Sequence, residues 1–395
     1  MFLSIGLILL LGVFGGILFD KIKLPKLVFY LLLGILLGPS LLNIIDESLL
    51  NISSYLRQVA LVIILTRSGL TLDISTLKKI GRPAILMCFI PATLEIIGVS
   101  IFAPMLLDIS FTESLLLGSV LAAVSPAVVV PRMLKLIDEK YGSKKFVPQL
   151  VLAGVSCDDI YVIVLFYAFK SMLKNNEFNY LSFIDIPISI ILGIIVGIIF
   201  GIILLFIYKK TNFNTTIKVV LLLSVSFIMI GIEKIVNISG LIGIISCGIT
   251  ILFFNKECAL ELKKSYNNLW FVFEILLFVL VGCTIDLNYA FSTTGLIMCG
   301  ILLIGLFFRC VGVVICLVCT KYNFKEKIFI ILSYLPKATV QASIGGIALA
   351  EGLSCGKVIL TSAVISIIIT APIGAILIDK SYKKLLKGDL NEEEV

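Results

Sequence analysis

LAAVSPAVVVPRML, residues 121–134, carries Pro126 and Pro131 inside an otherwise apolar run. Proline lacks a backbone donor and its ring clashes with the preceding turn, so the run predicts an interrupted helix. A second run, SYLPKATVQASIGGIALAEG (333–352), has the same character, with Pro336 and Lys337 followed by Gln341 and the pair Gly345 and Gly346. Aligning Ser125-Pro126-Ala127-Val128-Val129-Val130 with Leu335-Pro336-Lys337-Ala338-Thr339-Val340 superimposes two of the prolines. A simple proline kink is a sufficient reading of either run alone. Two in matching places point to a pair of broken helices whose freed backbone groups line a cavity at membrane depth.

The chain around them has 395 residues, of which 59% are hydrophobic and 14% charged, and its mean hydropathy is +1.16. Soluble proteins have about 45–50% apolar and about 25% charged residues. This composition predicts an all-α multi-pass membrane protein without a separate soluble domain. Apolar runs long enough to cross the bilayer, about 17–25 residues, recur throughout. A strand-built barrel would instead show segments of about 10 residues with alternating polarity. Thirteen spans are expected: 2–19, 26–43, 56–72, 83–106, 112–136, 147–171, 182–208, 216–233, 238–254, 267–284, 294–319, 326–350 and 357–379.

Basic residues orient these spans. With Met1 outside, 24 of the 32 lysines and arginines fall in inside segments, and only Arg57, Lys170, Lys174, Lys234 and Lys357 in outside ones. This asymmetry supports thirteen spans with the N-terminus out and the C-terminus in. It also assigns the net charge of +7 to orientation rather than to nucleic-acid binding. The fifth span then runs inward and the twelfth outward, the opposition that an inverted repeat requires. The run beginning at Phe2 has no basic region before it and reads as a retained anchor rather than a cleaved signal. The ten cysteines include one C-x-x-C spacing, Cys316 to Cys319, with no second pair to complete a ligand set, and read as small buried apolar residues. Residues 381–395 form a short charged tail on the cytoplasmic side, the last of it expected to be disordered.

Arg67, Glu95, Asp158, Asp159, Glu274, Arg309 and Lys337 lie within or at the ends of spans. Each charge near mid-membrane costs about 2.5–3.5 kcal/mol, so such residues usually face a cavity or a partner. A structural ion-pair network is the plain alternative for the set. It suits adjacent aspartates less well: consecutive helical residues point about 100° apart, so Asp158 and Asp159 line two sides of one cavity, each with its own neighbours. Burial and mutual repulsion hold protons on a carboxylate and a nearby cation removes them, the balance a proton- or cation-binding site needs. The chain has no histidine. Protons handled near neutral pH must therefore ride on carboxylates, a lysine or a thiol, which points to Asp158, Asp159 and Lys337.

AVSPAVVVPRML (123–134), GVSCDDIYVI (154–163), ILTRSGLTLD (64–73) with IPATLE (90–95), and LPKATVQA (335–342) together resemble the NHA-type sodium/proton exchangers of the cation:proton antiporter superfamily. The resemblance implies a core bundle, about 83–171 and 294–379, containing two broken helices that cross near mid-membrane. It also implies a dimerisation bundle, about 1–72 and 182–284, and an elevator-like movement of the core. By the same resemblance Asp159 matches the essential cation- and proton-binding aspartate, and Asp158 its partner, which pairs with the lysine at position 337. Ser125 and Ser156 lie where oxygens could complete a hard-cation shell, and oxygen ligands suit sodium. Glu95 and Arg309 match an additional charged pair, for which a fixed salt bridge and a functional role are equally good readings. Glu274 is assigned to a domain or lipid interface. Many wider relatives carry Thr-Asp-Pro at the fifth span, whereas this chain has Ser125-Pro126 without the acid.

The expected activity is exchange of Na+ or Li+ for H+ by competition at Asp158 and Asp159, in a homodimer in the plasma membrane of a bacterial cell, with no tightly bound metal, no cofactor and no enzymatic step. Membrane lipid is its other expected partner. An intramembrane aspartyl protease would need a Gly-x-Gly-Asp motif, which is missing. A cation channel would need a repeated pore segment, and none is present. A sodium-coupled symporter of a small solute is the alternative, distinguished by whether sodium moves protons with no organic solute present.

Overall fold

Ser110 and Glu113 open the helix that leads into the first interruption. The Glu113 N–H donates to the Ser110 hydroxyl at 3.2 Å, and the Ser110 N–H donates to the Glu113 carboxylate at 2.7 Å, a reciprocal cap. The helix, Phe111–Ala122, stops three residues before Pro126, and a second begins at Pro126 itself. Proline suits that first helical position, where its missing N–H removes no intrahelical bond.

These elements belong to a computed structural model that describes residues 1–71, 80–174, 180–211, 213–233, 236 and 238–388. Its principal helices are α1 (Phe2–Lys21), α2 (Lys26–Leu37), α3 (Glu47–Asn51), α4 (Ser53–Gly69), α5 (Arg82–Met87), α6 (Ile90–Leu106), α7 (Phe111–Ala122), α8 (Pro126–Asp138), α9 (Val147–Lys174) and α10 (Tyr180–Thr211). They continue with α11 (Thr215–Glu233), α12 (Gly240–Phe254), α13 (Lys256–Cys283), α14 (Leu287–Ala290), α15 (Thr293–Cys316), α16 (Phe324–Ser333), α17 (Thr339–Ile344), α18 (Ile347–Ala350) and α19 (Gly356–Leu385). Among the described residues, nine helical segments are long and apolar enough to cross a membrane. Lys26–Leu37, Gly240–Phe254 and Thr339–Ala350 are shorter and apolar.

Every expected span contains helix, with three differences in detail. The segment 83–106 is split at Cys88 and Phe89 into α5 and α6. The segment 326–350 is divided into α16, α17 and α18. Pro131, expected to break its helix, does not: α8 continues through it. One ladder bond is lost there, and the rest of the helix is held by its own hydrogen bonds and by burial of Val128, Val129, Met133 and Leu136. The end of the ILTRSGLTLD motif, Leu72 and Asp73, lies outside the described residues.

The chain divides into two compact units. The larger comprises Met1–Ser54, Asp73–Lys170 and Leu277–Val395, and the smaller Tyr55–Leu72 and Ser171–Leu276. The larger therefore holds both interrupted helices, and also α1 and α2. Within it a Cβ on Gly34 would lie 2.0 Å from the Val279 carbonyl oxygen, so α2 packs backbone to backbone on the end of α13. In the smaller unit, Gly193 and Gly197 do the same for α10 and α12: added Cβ atoms would lie 2.5 Å from the Ser239 oxygen and 2.3 Å from the Gly243 oxygen. Small residues allow this close packing where lipid supplies no hydrophobic drive between helices.

Candidate ion site at the helix crossing

The interruption between α7 and α8 leaves Ala123 and Ser125 in extended conformation. The one between α16 and α17 spans Tyr334 to Ala338. Backbone groups freed in an apolar interior must find partners, and here they do. The Ser125 N–H donates to the Pro336 carbonyl at 2.8 Å, tying one interruption to the other. The Val124 N–H donates to Asp158 Oδ2 at 3.0 Å. Gln341 Nε2 donates to the Ala123 carbonyl at 2.8 Å, and the Lys337 ammonium donates to the Leu121 carbonyl.

Charged side chains converge on this crossing from α6, α9 and α15. Glycines on α15 set the approach: a Cβ on Gly312 would lie 2.7 Å from Pro91 Cα, and one on Gly305 would lie 3.2 Å from Glu95 Oε1. The close packing of α15 on α6 brings Arg309 onto Glu95, with Nε donating to Oε2. Arg309 Nη2 reaches Asp158 Oδ2 at 3.3 Å, and Lys337 Nζ lies 2.6 Å from Glu95 Oε1. Glu95, Asp158, Arg309 and Lys337 are each 0% exposed, and Asp159, the next residue on α9, is 5% exposed.

This arrangement redraws one expected contact. The Lys337 ammonium ion-pairs with Glu95, whereas Asp158 is held by Arg309 and by the Val124 N–H. The contacts run in sequence from Lys337 to Glu95, from Glu95 to Arg309 and from Arg309 to Asp158, across the packing of α15 on α6. Glu95 thus joins both bases, and the expected Glu95 and Arg309 pair is one part of a four-membered network. Ser125 is fully buried, and its hydroxyl makes no hydrogen bond among the described residues. Asp158 Oδ1, Thr339 Oγ1 and Gln341 Oε1 are likewise buried oxygens without such a bond. These are hard oxygen donors, the type a sodium or lithium ion takes. The Ser156 side chain lies outside the described residues. No cluster of three or more His, Cys, Asp or Glu suited to holding a metal occurs among the described residues.

Tyr334 and Thr370 were not singled out from the sequence, and Gln341 was named in its run without a role at the site. Gln341 follows Lys337 by four residues, a spacing that could have placed it on the same helical face. Tyr334 is fully buried with its ring 6.0 Å from the Arg309 guanidinium, and Gly154, one turn before Asp158, leaves the space its hydroxyl fills. Thr370 accepts the Lys337 backbone N–H at 2.9 Å, and nothing in the sequence around it signals that task. Arg67 and Glu274 belong to the smaller unit, where Arg67 lies over the Trp270 ring at 5.2 Å.

Comparison with known proteins places this geometry in context. Residues 6–379 match the family model described as "Sodium/hydrogen exchanger, transmembrane". Sodium/hydrogen exchanger 9B2 of Bison bison bison is 34% identical over 404 residues, covering 97% of this chain and 75% of that protein. Sodium/hydrogen exchanger 9B1 of Mus musculus is 35% identical over 349 residues, covering 85% of this chain and 61% of that protein. Among solved structures, the sodium proton antiporter MjNhaP1 from Methanocaldococcus jannaschii shares the fold, with a TM-score of 0.80 at 22% identity over 96% of this chain and 98% of that one.

Proposed function

The chain belongs to the sodium/hydrogen exchanger family, and from that premise we propose that it exchanges Na+ or Li+ for H+ by competition at Asp158 and Asp159. The observation that carries this reading is the charge at the crossing. Three carboxylates, Glu95, Asp158 and Asp159, and two bases, Arg309 and Lys337, sit there almost without exposure. Fully ionised, they sum to one negative charge. One monovalent cation or one proton brings the sum to zero.

Competition follows from that sum. Asp159 takes the cation or the proton. Asp158 is fixed by Arg309 and presents its second oxygen. Ser125 and Ser156 are the neutral oxygens assigned to the cation shell. Lys337 compensates charge through Glu95. A core that moves while empty would carry an uncompensated charge into a medium where each charge costs about 2.5–3.5 kcal/mol or more. Loading with either ion removes that penalty, so an elevator-like movement of the core is favoured only when occupied. Coupling requires this selectivity, because an empty core that moved freely would let either ion run down its gradient alone.

The resemblance also supports a homodimer in a cell membrane, with residues 1–72 and 182–284 as the dimerisation bundle. Purified protein in liposomes carrying a lumenal pH dye tests the activity. Addition of sodium or lithium under an imposed pH gradient, with no organic solute, is expected to move protons. Silence of the native protein in both ions refutes the exchanger, and proton movement that requires an added solute identifies a symporter.

A further inference from the structure

Unwinding at Pro336 deprives the Lys337 N–H of the helical partner it would otherwise have, the carbonyl of Ser333. Thr370 on α19 supplies a replacement: its hydroxyl accepts that N–H at 2.9 Å and donates its own proton to the Ser366 carbonyl at 2.7 Å. The second bond fixes the polarity of the first, because the hydroxyl proton is committed within α19 and a lone pair faces Lys337. Thr370 is 4% exposed. One turn later a Cβ on Gly374 would lie 2.4 Å from the Pro336 ring, so α19 is shaped to the interruption as well as bonded to it. The same helix holds the other interrupted run. Asp379 accepts from Arg132 Nε at 3.1 Å and from Nη2 at 3.1 Å, and Tyr382 donates to Glu139 at 3.1 Å.

We infer that α19 is the brace that keeps the two interrupted helices in register, and that Thr370 is a positioning residue for Lys337. The contact geometry explains why the position matters. The Lys337 ammonium reaches two acceptors, Glu95 Oε1 and the Leu121 carbonyl, from a segment with no helical ladder of its own. Release of its backbone frees the side chain to leave both. The charged groups that surround the ammonium are Glu95 from α6, Arg309 from α15 and Asp158 from α9. Displacement of Lys337 therefore removes compensating charge from the carboxylates, which then hold protons more tightly.

The inference rests on the exchanger reading, and one comparison separates their failures. Native protein, Thr370→Val and Thr370→Ser are assayed side by side for sodium-driven proton movement across a pH series. Valine keeps the branched shape without the hydroxyl, whereas serine keeps the hydroxyl. Thr370→Val is expected to move the half-maximal pH upward by on the order of one unit, about tenfold in proton affinity. Thr370→Ser is expected to return it to the native value. If the valine variant is not recovered folded, Thr370→Ala removes the hydroxyl without adding bulk and is read in the same way. A native pH profile in the variant without the hydroxyl overturns the inference. So does a serine variant as shifted as valine, which would assign the effect to packing. A silent native protein refutes the exchanger reading instead.

Discussion

Lys337 Nζ and Glu95 Oε1 lie 2.6 Å apart with neither side chain exposed, although 242 positions separate Lys337 from Glu95 in the chain. The contact joins an interrupted helix to an intact one. It also leaves Asp158 to Arg309, so each base in the crossing has a carboxylate in direct contact.

Removing one member of such a buried set costs more than the set is worth, because a charge is left without its partner. Glu95→Gln leaves the Lys337 ammonium without its carboxylate and Arg309 with Asp158 alone, and is expected to destabilise the protein by about 3–5 kcal/mol. The measurement is thermal unfolding in detergent. Combining Glu95→Gln with Lys337→Met is expected to recover part of the loss, with a coupling of about 0.5–3 kcal/mol. Strict additivity would mean that the 2.6 Å contact contributes nothing.

A crossing that carries one negative charge when empty, and none when loaded with one monovalent ion, predicts exchange that moves no net charge. Sodium-driven proton movement in liposomes should proceed at the same rate whether the membrane potential is clamped at zero or set by a potassium gradient with valinomycin. A clear dependence of the rate on potential would show that Lys337 or a second carboxylate exchanges a proton in the cycle.

Asp159→Asn is expected to reduce cation-dependent proton movement to the level of empty liposomes, because the amide can neither release a proton nor offset a cation's charge. The network of Glu95, Arg309, Asp158 and Lys337 stays in place in this variant, and its melting temperature shows whether it is folded. Full exchange in this variant would remove Asp159 from the site.

Gly154 and Tyr334 give a packing test at the same place. A Cβ on Gly154 would lie 1.8 Å from the Tyr334 hydroxyl but 3.2 Å from the ring carbon that bears it. Gly154→Ala is expected to cost about 1–3 kcal/mol through overpacking. Adding Tyr334→Phe removes the clashing atom and should restore most of that loss, seen as a melting temperature for the double variant above that of Gly154→Ala.

Outside the spans, Asp46 offers a pH test. Its carboxylate accepts from the Ser48 hydroxyl and N–H and faces the terminal amine at 3.0 Å, and these contacts hold its pKa at about 2. A folded pKa below the unfolded value of about 3.9 means stabilisation that is complete above pH 4 and lost as the pH falls toward 2. Amide exchange at Leu49 and Leu50, corrected for intrinsic rates, should accelerate over that window. Asp46→Asn should flatten the response.

Much of this fold is legible in the chain because bilayer physics acts locally. Apolar length predicts the long helices but not the short α3 and α14, and Pro126 and Pro336 mark both interruptions to within a few residues. Pro131 misled for a local reason too: a proline within an established, well-packed helix costs one ladder bond and need not end it. The split at Cys88 and Phe89 had no such marker, since only Pro91 stands near it and proline tolerates the first turn of a helix.

The sequence by itself determined that the protein is a helical membrane protein with two interrupted runs, and that Glu95, Asp158, Asp159, Arg309 and Lys337 lie within its spans. Length, apolarity and the absence of histidine are properties of segments, and they survive without knowledge of what packs beside them. Only the tertiary structure decided the partners. Which carboxylate meets Lys337 depends on how closely α15 can approach α6, and that distance is set by Gly305 and Gly312 together with the residues opposite them. Ion pairing in a low-dielectric interior falls steeply with separation and geometry, so helix packing assigned Lys337 to Glu95 and Asp158 to Arg309.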